Sequence, residues 1–188
     1  MFGLDARISL AIFGVLAVVA GAYSVLTLSS TYAGSFSQEL EETGKAIEAI
    51  HNDLETDVHS VLINSSDKNA FVALYDSEVI ATGTRARTRW LGPYIKATSP
   101  VHPRFGETRI TKMGKTIKTD CYSNDGCYLW LVYDNVAKDV AKEVNYTFDG
   151  GSEGLPELEG RLQWQDGVDM KKVVLWYRAS RVLGGVGQ

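Results

Sequence analysis

Residues 8–28 read ISLAIFGVLAVVAGAYSVLTL, a run of 21 residues without a charged side chain in a chain of 188. At a rise of about 1.5 Å per residue, a helix of that length spans about 31 Å, which matches the hydrocarbon core of a bilayer. The run therefore predicts an apolar helix at the start of the chain, over residues 1–28.

Three other kinds of segment also begin with a comparable apolar run. A secretory signal peptide has a positive start, a shorter apolar stretch and a small-residue cleavage site. The preceding segment MFGLDAR carries one acid and one base, and no A-x-A pattern comes just after the run. A plain signal anchor accounts for the apolar length and for nothing else. A secreted domain released by cleavage would begin near residue 30.

The next segment, residues 29–62, predicts an amphipathic continuation of the same helix. Its apolar residues recur at steps of three, four and seven, which places them on one stripe: Leu40, Ile47, Ile50, Leu54, Val58 and Val61. Gly34 and Gly44 are candidate bend points, and Asn64-Ser65-Ser66-Asp67 is the predicted end. One long helix to about Leu62 is expected, with its second half lying on a globular head.

Residues 63–188 predict that head, with an antiparallel sheet. The β-prone runs are Thr108–Lys112, Thr116–Thr119, Cys127–Tyr133, Gly160–Gln165 and Lys171–Arg178. One short helix is predicted over Asn135–Val144, with Asn135 as its N-cap. The expected fold class is α+β, a long helix packed on an antiparallel sheet.

The two cysteines, Cys121 and Cys127, lie in one short segment, CYSNDGC. Two thiols do not make a structural zinc site, and the spacing is not that of a C-x-x-C redox centre. A local disulfide in an oxidising compartment fits the pair, and two buried free thiols are the alternative. A disulfide would close a hairpin tip in which Gly126 takes the left-handed conformation.

The sequence MFGLDARISLAIFGVLAVVA resembles the start of mature type IV pilins and of type II secretion pseudopilins. That family has an acid at the fifth place, followed by a run close to VVAIIGILAAIA. The residues in register are Asp5, Ala11, Ile12, Gly14, Leu16, Ala17 and Ala20. Asp replaces the usual Glu, Met1 stands where Phe is commonest, and Arg7 is unusual. The resemblance implies that Met1 is the methylated first residue, left by a prepilin peptidase.

The resemblance also implies how subunits assemble. A carboxylate inside an apolar helix bundle is costly unless it is paired, so Asp5 is expected to pair with the Met1 amine of a neighbouring subunit. Pairing with Arg7, or contact with lipid headgroups, is the alternative. Gly14 weakens the helix, and local unwinding is expected between Gly14 and Tyr23 in a filament. The alternative role for Gly14 is the close packing of small residues between helices.

A second resemblance lies in the head, where Trp90-Leu91-Gly92-Pro93-Tyr94-Ile95-Lys96 is similar to the W-x-GPY-[LI]-K stretch of major pseudopilins. The acids that help to bind calcium in those proteins have no clear counterpart here. A calcium site built from an acidic set near two glycines is an alternative to a solvated loop: Asp149, Glu153, Glu157 and Glu159.

No enzyme is expected. The chain lacks G-x-S-x-G, H-E-x-x-H, P-loop and G-x-G-x-x-G patterns, and no metal or other cofactor is expected. His51, His59 and His102 are too far apart in sequence to form a helical metal pair. A net charge of −4 argues against nucleic acid as the partner.

The resemblance therefore implies a bacterial structural subunit that forms a homo-oligomeric helical filament. Subunits would wait in the inner membrane, be lifted out by an assembly ATPase and its platform protein, and end in an extracellular fimbrium. Two alternatives remain. One is a type II secretion pseudopilin, and the other is a monomeric, membrane-anchored binding or sensor domain.

Overall fold

The computed structural model describes residues 32–121, 126–151 and 157–182. The apolar run and the predicted assembly residues Met1, Asp5 and Gly14 lie outside these ranges. Within them, no helix has both the length and the apolarity needed to cross a bilayer.

Helix α1 covers residues 32–54 of the described chain. It buries its part of the predicted apolar stripe against the rest of the head, since Leu40, Ile47, Ile50 and Leu54 are all at most 3% exposed. Phe36, which was not part of the predicted stripe, is buried as well, at 2% exposed. The helix runs without interruption through Gly34 and Gly44. A Cβ on Gly44 would lie 3.1 Å from the Tyr177 ring, so this glycine lets helix and sheet approach closely.

The prediction that α1 continues to about Leu62 is wrong. Glu55 has a φ of 53°, a left-handed conformation that breaks a right-handed helix. The Asp57 side chain then accepts a hydrogen bond from the His59 amide and caps a separate 3₁₀ helix, Val58–Val61. Val58 stays buried, so the apolar spacing persists although the helix that the spacing predicted has ended.

Two short helices follow, and the sequence did not predict them. Helix α2 covers Asp67–Val72 and α3 covers Arg85–Arg89, with a 3₁₀ turn, Ser77–Val79, between them. The Ser66 hydroxyl caps α2 by accepting from the Asn69 amide at 3.2 Å. The polar segment expected to end the long helix therefore starts a new one, because its serine serves as an N-cap.

The predicted α+β class is confirmed by a five-stranded, wholly antiparallel sheet. Its strands are β1 (Val101–His102), β2 (Gly106–Met113), β3 (Tyr128–Ala137), β4 (Leu162–Asp166) and β5 (Lys172–Arg181), in the spatial order β1-β2-β3-β5-β4. Helix α4 (Lys138–Asp149) connects β3 to β4.

Two predicted elements differ from the structure. Residues 116–119 form a turn in place of a strand, because the Gly114 amide donates to the Thr119 carbonyl. The Thr119 hydroxyl also accepts from the Thr116 amide and donates to the Thr116 carbonyl. The predicted Asn135–Val144 helix begins at Lys138, after an Ala137 N-cap that has no side-chain hydrogen bond. Asn135 belongs to β3, and its amide donates to the Phe105 carbonyl.

The two faces of the sheet are covered differently. One face packs on α1 and α4 through large buried side chains such as Tyr133 and Tyr177. The other is covered by the segment after β2, since the Trp130 indole donates to the Gly114 carbonyl at 3.0 Å. Gln163 is fully buried beside it and accepts from the Ile117 amide.

Strand β4 lies at one edge of the sheet, and other parts of the head bind its outward backbone groups. The Asp149 carboxylate accepts from the amides of Arg161 and Leu162 at 2.8 Å each. The Asn145 side chain donates to the Leu162 carbonyl at 3.2 Å. The backbone amide of Trp164 donates to the backbone carbonyl of Glu157. The opposite edge strand, β1, has only two residues.

Candidate functional site: attachment of the head to helix α1

The Trp90–Tyr94 segment attaches the head to the C-terminal part of α1. The Tyr94 hydroxyl donates to the Asp53 carboxylate on α1 at 2.6 Å and accepts from the Leu91 amide at 3.1 Å. The Trp90 indole donates to the Ala73 carbonyl at 2.8 Å. The two rings meet edge to face, with centroids 5.7 Å apart. These bonds connect α1, the chain just after α2 and the segment after α3.

Gly92 lies between the two rings, and the Gly92-Pro93 peptide is cis. A Cβ at this position would lie 2.5 Å from the Trp90 ring and 2.8 Å from the Tyr94 ring, closer than carbon atoms pack. Because each ring also holds a hydrogen bond that fixes its direction, neither is free to turn away. The motif needs glycine here for space.

Burial raises the pKa of Tyr94 to about 12, and the hydrogen bond to Asp53 adds to the effect. The phenol therefore keeps its proton across the physiological range and serves as a donor to the helix. This stable neutral state suits a structural attachment better than proton transfer.

Replacing Gly92 with alanine should lower the free energy of unfolding by about 2 kcal/mol, the cost of forcing extra volume into a packed site. Chemical unfolding of the full chain in detergent, followed by tryptophan fluorescence, measures the loss. Gly34→Ala is the matched control, since a Cβ there meets nothing within 4 Å. It should be neutral or stabilising by up to about 1 kcal/mol. Equal stability of the two variants would contradict the space requirement.

The start of α1 is held by a second group of aromatic residues. Phe36 packs on Phe105 at 4.1 Å and on Tyr133 at 5.1 Å between ring centroids. The Tyr133 hydroxyl donates to Glu39 at 2.8 Å, and burial raises the pKa of Tyr133 well above its usual range. His102 stacks on Phe105 at 4.6 Å.

The hydrogen bonds of His102 define its tautomer. Its Nδ1 atom accepts from the amides of Arg104 and Phe105, both at 3.1 Å, so the proton of the neutral ring lies on Nε2. That atom is 3.3 Å from the Glu39 carboxylate. The ring thus joins the β1–β2 turn to α1.

An ionic cluster joins the end of the helical segment to β2. His59 Nδ1 lies 3.3 Å from Asp57, and Nε2 lies 3.3 Å from Asp67 and 3.0 Å from the Ile110 carbonyl. Burial alone would lower the pKa of His59, but the two carboxylates outweigh it and raise the pKa to about 9. Burial would raise the pKa values of Asp57 and Asp67, but the contacts with His59 outweigh it and lower both. Lys112 completes the cluster, with its amine 2.8 Å from Asp57.

His51 has a different environment from the other two histidines. It is 3% exposed on α1, and burial lowers its pKa. The three histidines thus occupy separate places. Across the described ranges, no three His, Cys, Asp or Glu side chains are grouped so that they could hold a metal ion.

Of the candidate calcium ligands, Asp149 has another role in the structure. Asp149 binds the backbone of the β4 edge, and Gly150 ends α4 in the left-handed conformation. Glu153 lies outside the described residues. Among the described residues Asp149, Glu157 and Glu159 do not form a group that could hold a metal ion.

Cys121 and Cys127 come together as predicted, with their sulfur atoms 2.11 Å apart. Gly126 has a φ of 80°, which agrees with the left-handed conformation expected there. The intervening residues 122–125 lie outside the described ranges. Met113 pairs with Tyr128, so the cysteines lie within a long connection between β2 and β3.

Replacing both cysteines with serine should lower the free energy of unfolding by about 2 kcal/mol, the loop-entropy value for so short a loop. A reductant should cause the same loss in the unsubstituted chain and no further loss in the double variant. Thermal unfolding with and without reductant tests this. Unchanged stability in both experiments would indicate two free thiols.

No protein-family model, curated protein or solved structure matches this chain. Sequence reasoning found Trp90, Gly92 and Tyr94 through their motif, and the structure brings all three together with Asp53. Sequence reasoning did not find the His59 cluster, because the members of that cluster are scattered in the sequence. The D-x-H spacing of Asp57 and His59 was the only local signal.

Proposed function

We propose that the protein is a non-enzymatic subunit of a type IV pilus-like filament. The observation that carries the proposal is the N-terminal sequence, in which an acid at the fifth place precedes a bilayer-length apolar run in register with the pilin pattern. In a filament these apolar helices bury one another, and the hydrophobic effect stabilises the core.

The geometry of the head supports this proposal. A filament subunit must transmit force between its helix and its head, and α1 is attached to the head at both ends. In the N-terminal part of the described helix, Phe36 contacts Phe105 of the β1–β2 turn and Glu39 binds Tyr133 of β3. In the C-terminal part, Asp53 binds Tyr94. The intervening stripe is buried on the sheet.

Asp5 is assigned to the amine of Met1 on a neighbouring subunit, where the pair would set the axial stagger of the helices. Gly14 is assigned to the segment that loosens when a subunit leaves the membrane. A prepilin peptidase, an assembly ATPase and a platform protein are the partners that this route requires.

The first test is electron microscopy of material sheared from the native cells, combined with mass spectrometry of the N-terminus. Thin filaments that contain this chain with a methylated Met1 are expected. A chain that stays in the membrane fraction with an unmodified start would favour the anchored-domain alternative.

The W-x-GPY motif supports a type II secretion pseudopilin as the second candidate. The two candidates differ in where the filament lies. Deleting a pilus subunit removes surface filaments and leaves exoprotein release intact, whereas deleting a major pseudopilin blocks release.

A further inference from the structure

The turn between β4 and β5 holds two apolar side chains in water. Val168 is fully exposed and Met170 is 83% exposed. The backbone of the turn is nevertheless well bonded. The Gly167 amide donates to the Lys172 carbonyl at 2.9 Å, and the Lys172 amide donates to the Asp169 carbonyl at 2.8 Å. The backbone thus presents both side chains outward, and we call residues 167–171 the apolar turn.

The apolar turn lies at the end of the head where α1 begins. Phe36 packs on Tyr133, and Tyr133 pairs with Leu175. From Leu175, five residues of strand and turn lead to Met170, at most about 16 Å at 3.3 Å per residue. From Phe36, one helical turn leads back to Tyr32, about 6 Å. Because β2, β3 and β5 are antiparallel neighbours, the β1–β2 turn and the apolar turn lie at the same end of the sheet. Arg104 of the β1–β2 turn contacts the Tyr32 ring, so Tyr32 lies toward that end as well.

The apolar run of the sequence ends close to Tyr32 along the chain. Leu28 is four residues before Tyr32, so whatever the conformation between them, the two lie within about 14 Å of each other. When residues 8–28 occupy a bilayer, the apolar turn is therefore within reach of its surface.

The chemistry of this end of the head suits a lipid headgroup layer. Lys171 in the apolar turn and Lys172 directly after it are exposed. The Arg104 guanidinium lies 4.2 Å from the centre of the half-exposed Tyr32 ring. Basic and tyrosine side chains of this kind anchor proteins at membrane interfaces. Two nearby acids are already bonded, Asp166 to the Lys138 amine at 2.6 Å and Asp169 to the Lys171 amide at 3.0 Å.

We propose that the apolar turn inserts Val168 and Met170 into the surface of the phospholipid bilayer that holds the unassembled subunit, with the neighbouring lysines on lipid phosphates. The inference depends on the proposed function, because it requires residues 8–28 to lie in the membrane. It adds a second membrane contact, which a subunit must break as it enters a filament.

The test uses the full chain in phosphatidylglycerol-containing liposomes, with a nitroxide label on Val168→Cys, Met170→Cys or Leu91→Cys. Leu91 is the matched control, since it is an apolar side chain that is 76% exposed and belongs to the Trp90–Tyr94 attachment. The unsubstituted chain measures background labelling. Spin relaxation by a water-soluble nickel chelate and by oxygen reports whether each label faces water or lipid, and carbonate extraction reports whether the chain is anchored.

At positions 168 and 170 we expect nickel relaxation to be lost and oxygen relaxation to rise, with full nickel relaxation at 91. Equal nickel relaxation at all three positions in an anchored chain would overturn the inference and leave the proposed function standing. Protection that disappears when the chain is diluted with lipid would overturn it in favour of contact with a second copy. A chain that carbonate removes would overturn both proposals.

Discussion

Cells that carry Asp5→Ala should make no filaments, although the subunit should still enter the membrane. In the proposed core the Asp5 carboxylate neutralises a Met1 ammonium of the next subunit. Removing it leaves a charge buried without a partner, a change that costs about 3–5 kcal/mol in protein interiors. Since every subunit along the fibre carries the same penalty, the expected result is a loss of assembly.

Electron microscopy of sheared material and carbonate extraction of membranes measure the two parts of this prediction. Asp5→Glu is the matched control, because it keeps the charge and restores the acid that is usual in the family. It should form filaments. Normal filaments from Asp5→Ala would show that the carboxylate contacts headgroups or Arg7 and has no role between subunits.

Replacing His59 with glutamine should destabilise the head by about 3 kcal/mol at pH 6 and by much less at pH 10. The pKa of His59 rises from 6.5 unfolded to about 9 folded, and a difference of about 2.5 between the two corresponds to about 3 kcal/mol. A raised pKa stabilises fully below 6.5, and the contribution is lost as the pH rises through 9. Glutamine does not titrate, so the difference between the two proteins should follow that curve.

The acids of the same cluster set the lower limit of its pH window. Asp57 and Asp67 have lowered pKa values, so their contribution is present above 3.8 and is lost as the pH falls below it. The cluster should therefore stabilise the head most between about pH 4 and 6.5.

Chemical unfolding of the full chain in detergent at a series of pH values gives the measurement. His51 provides a control of opposite sign, because burial lowers its pKa. Its contribution is present above 6.5 and is lost at lower pH, so His51→Gln should differ from the unsubstituted chain least in acid. A His59→Gln difference that does not change between pH 6 and pH 10 would show that folding does not raise the pKa of this ring.

Periodic patterns in the sequence predicted the parts of the fold that local chemistry controls. The stripe through Leu40, Ile47 and Leu54 predicted the buried side of α1, and the β-prone run at Cys127–Tyr133 predicted most of β3. The helix end was missed because apolar spacing continues past Leu54. The break depends on the left-handed Glu55 and the Asp57 cap, and neither changes the spacing.

The candidate site was predictable only where a motif was contiguous. Trp90, Gly92 and Tyr94 are close in sequence, but their partners Ala73 and Asp53 are not, and only the folded chain brings them together. The run at 116–119 predicts a strand because threonine and isoleucine favour strands. The side chain of Thr119 bonds to the backbone amide and carbonyl of Thr116 and favours the turn.

The bonded edge of β4 has a consequence for a chain that is proposed to polymerise. An unpaired strand edge is a template for edge-to-edge aggregation, and crowding many heads along one fibre would promote it. Asp149, Asn145 and Glu157 occupy that edge, and β1 offers only two residues at the other. With both described edges blunted, edge-to-edge growth between heads is disfavoured, and in the proposed filament assembly is left to the contacts between helices.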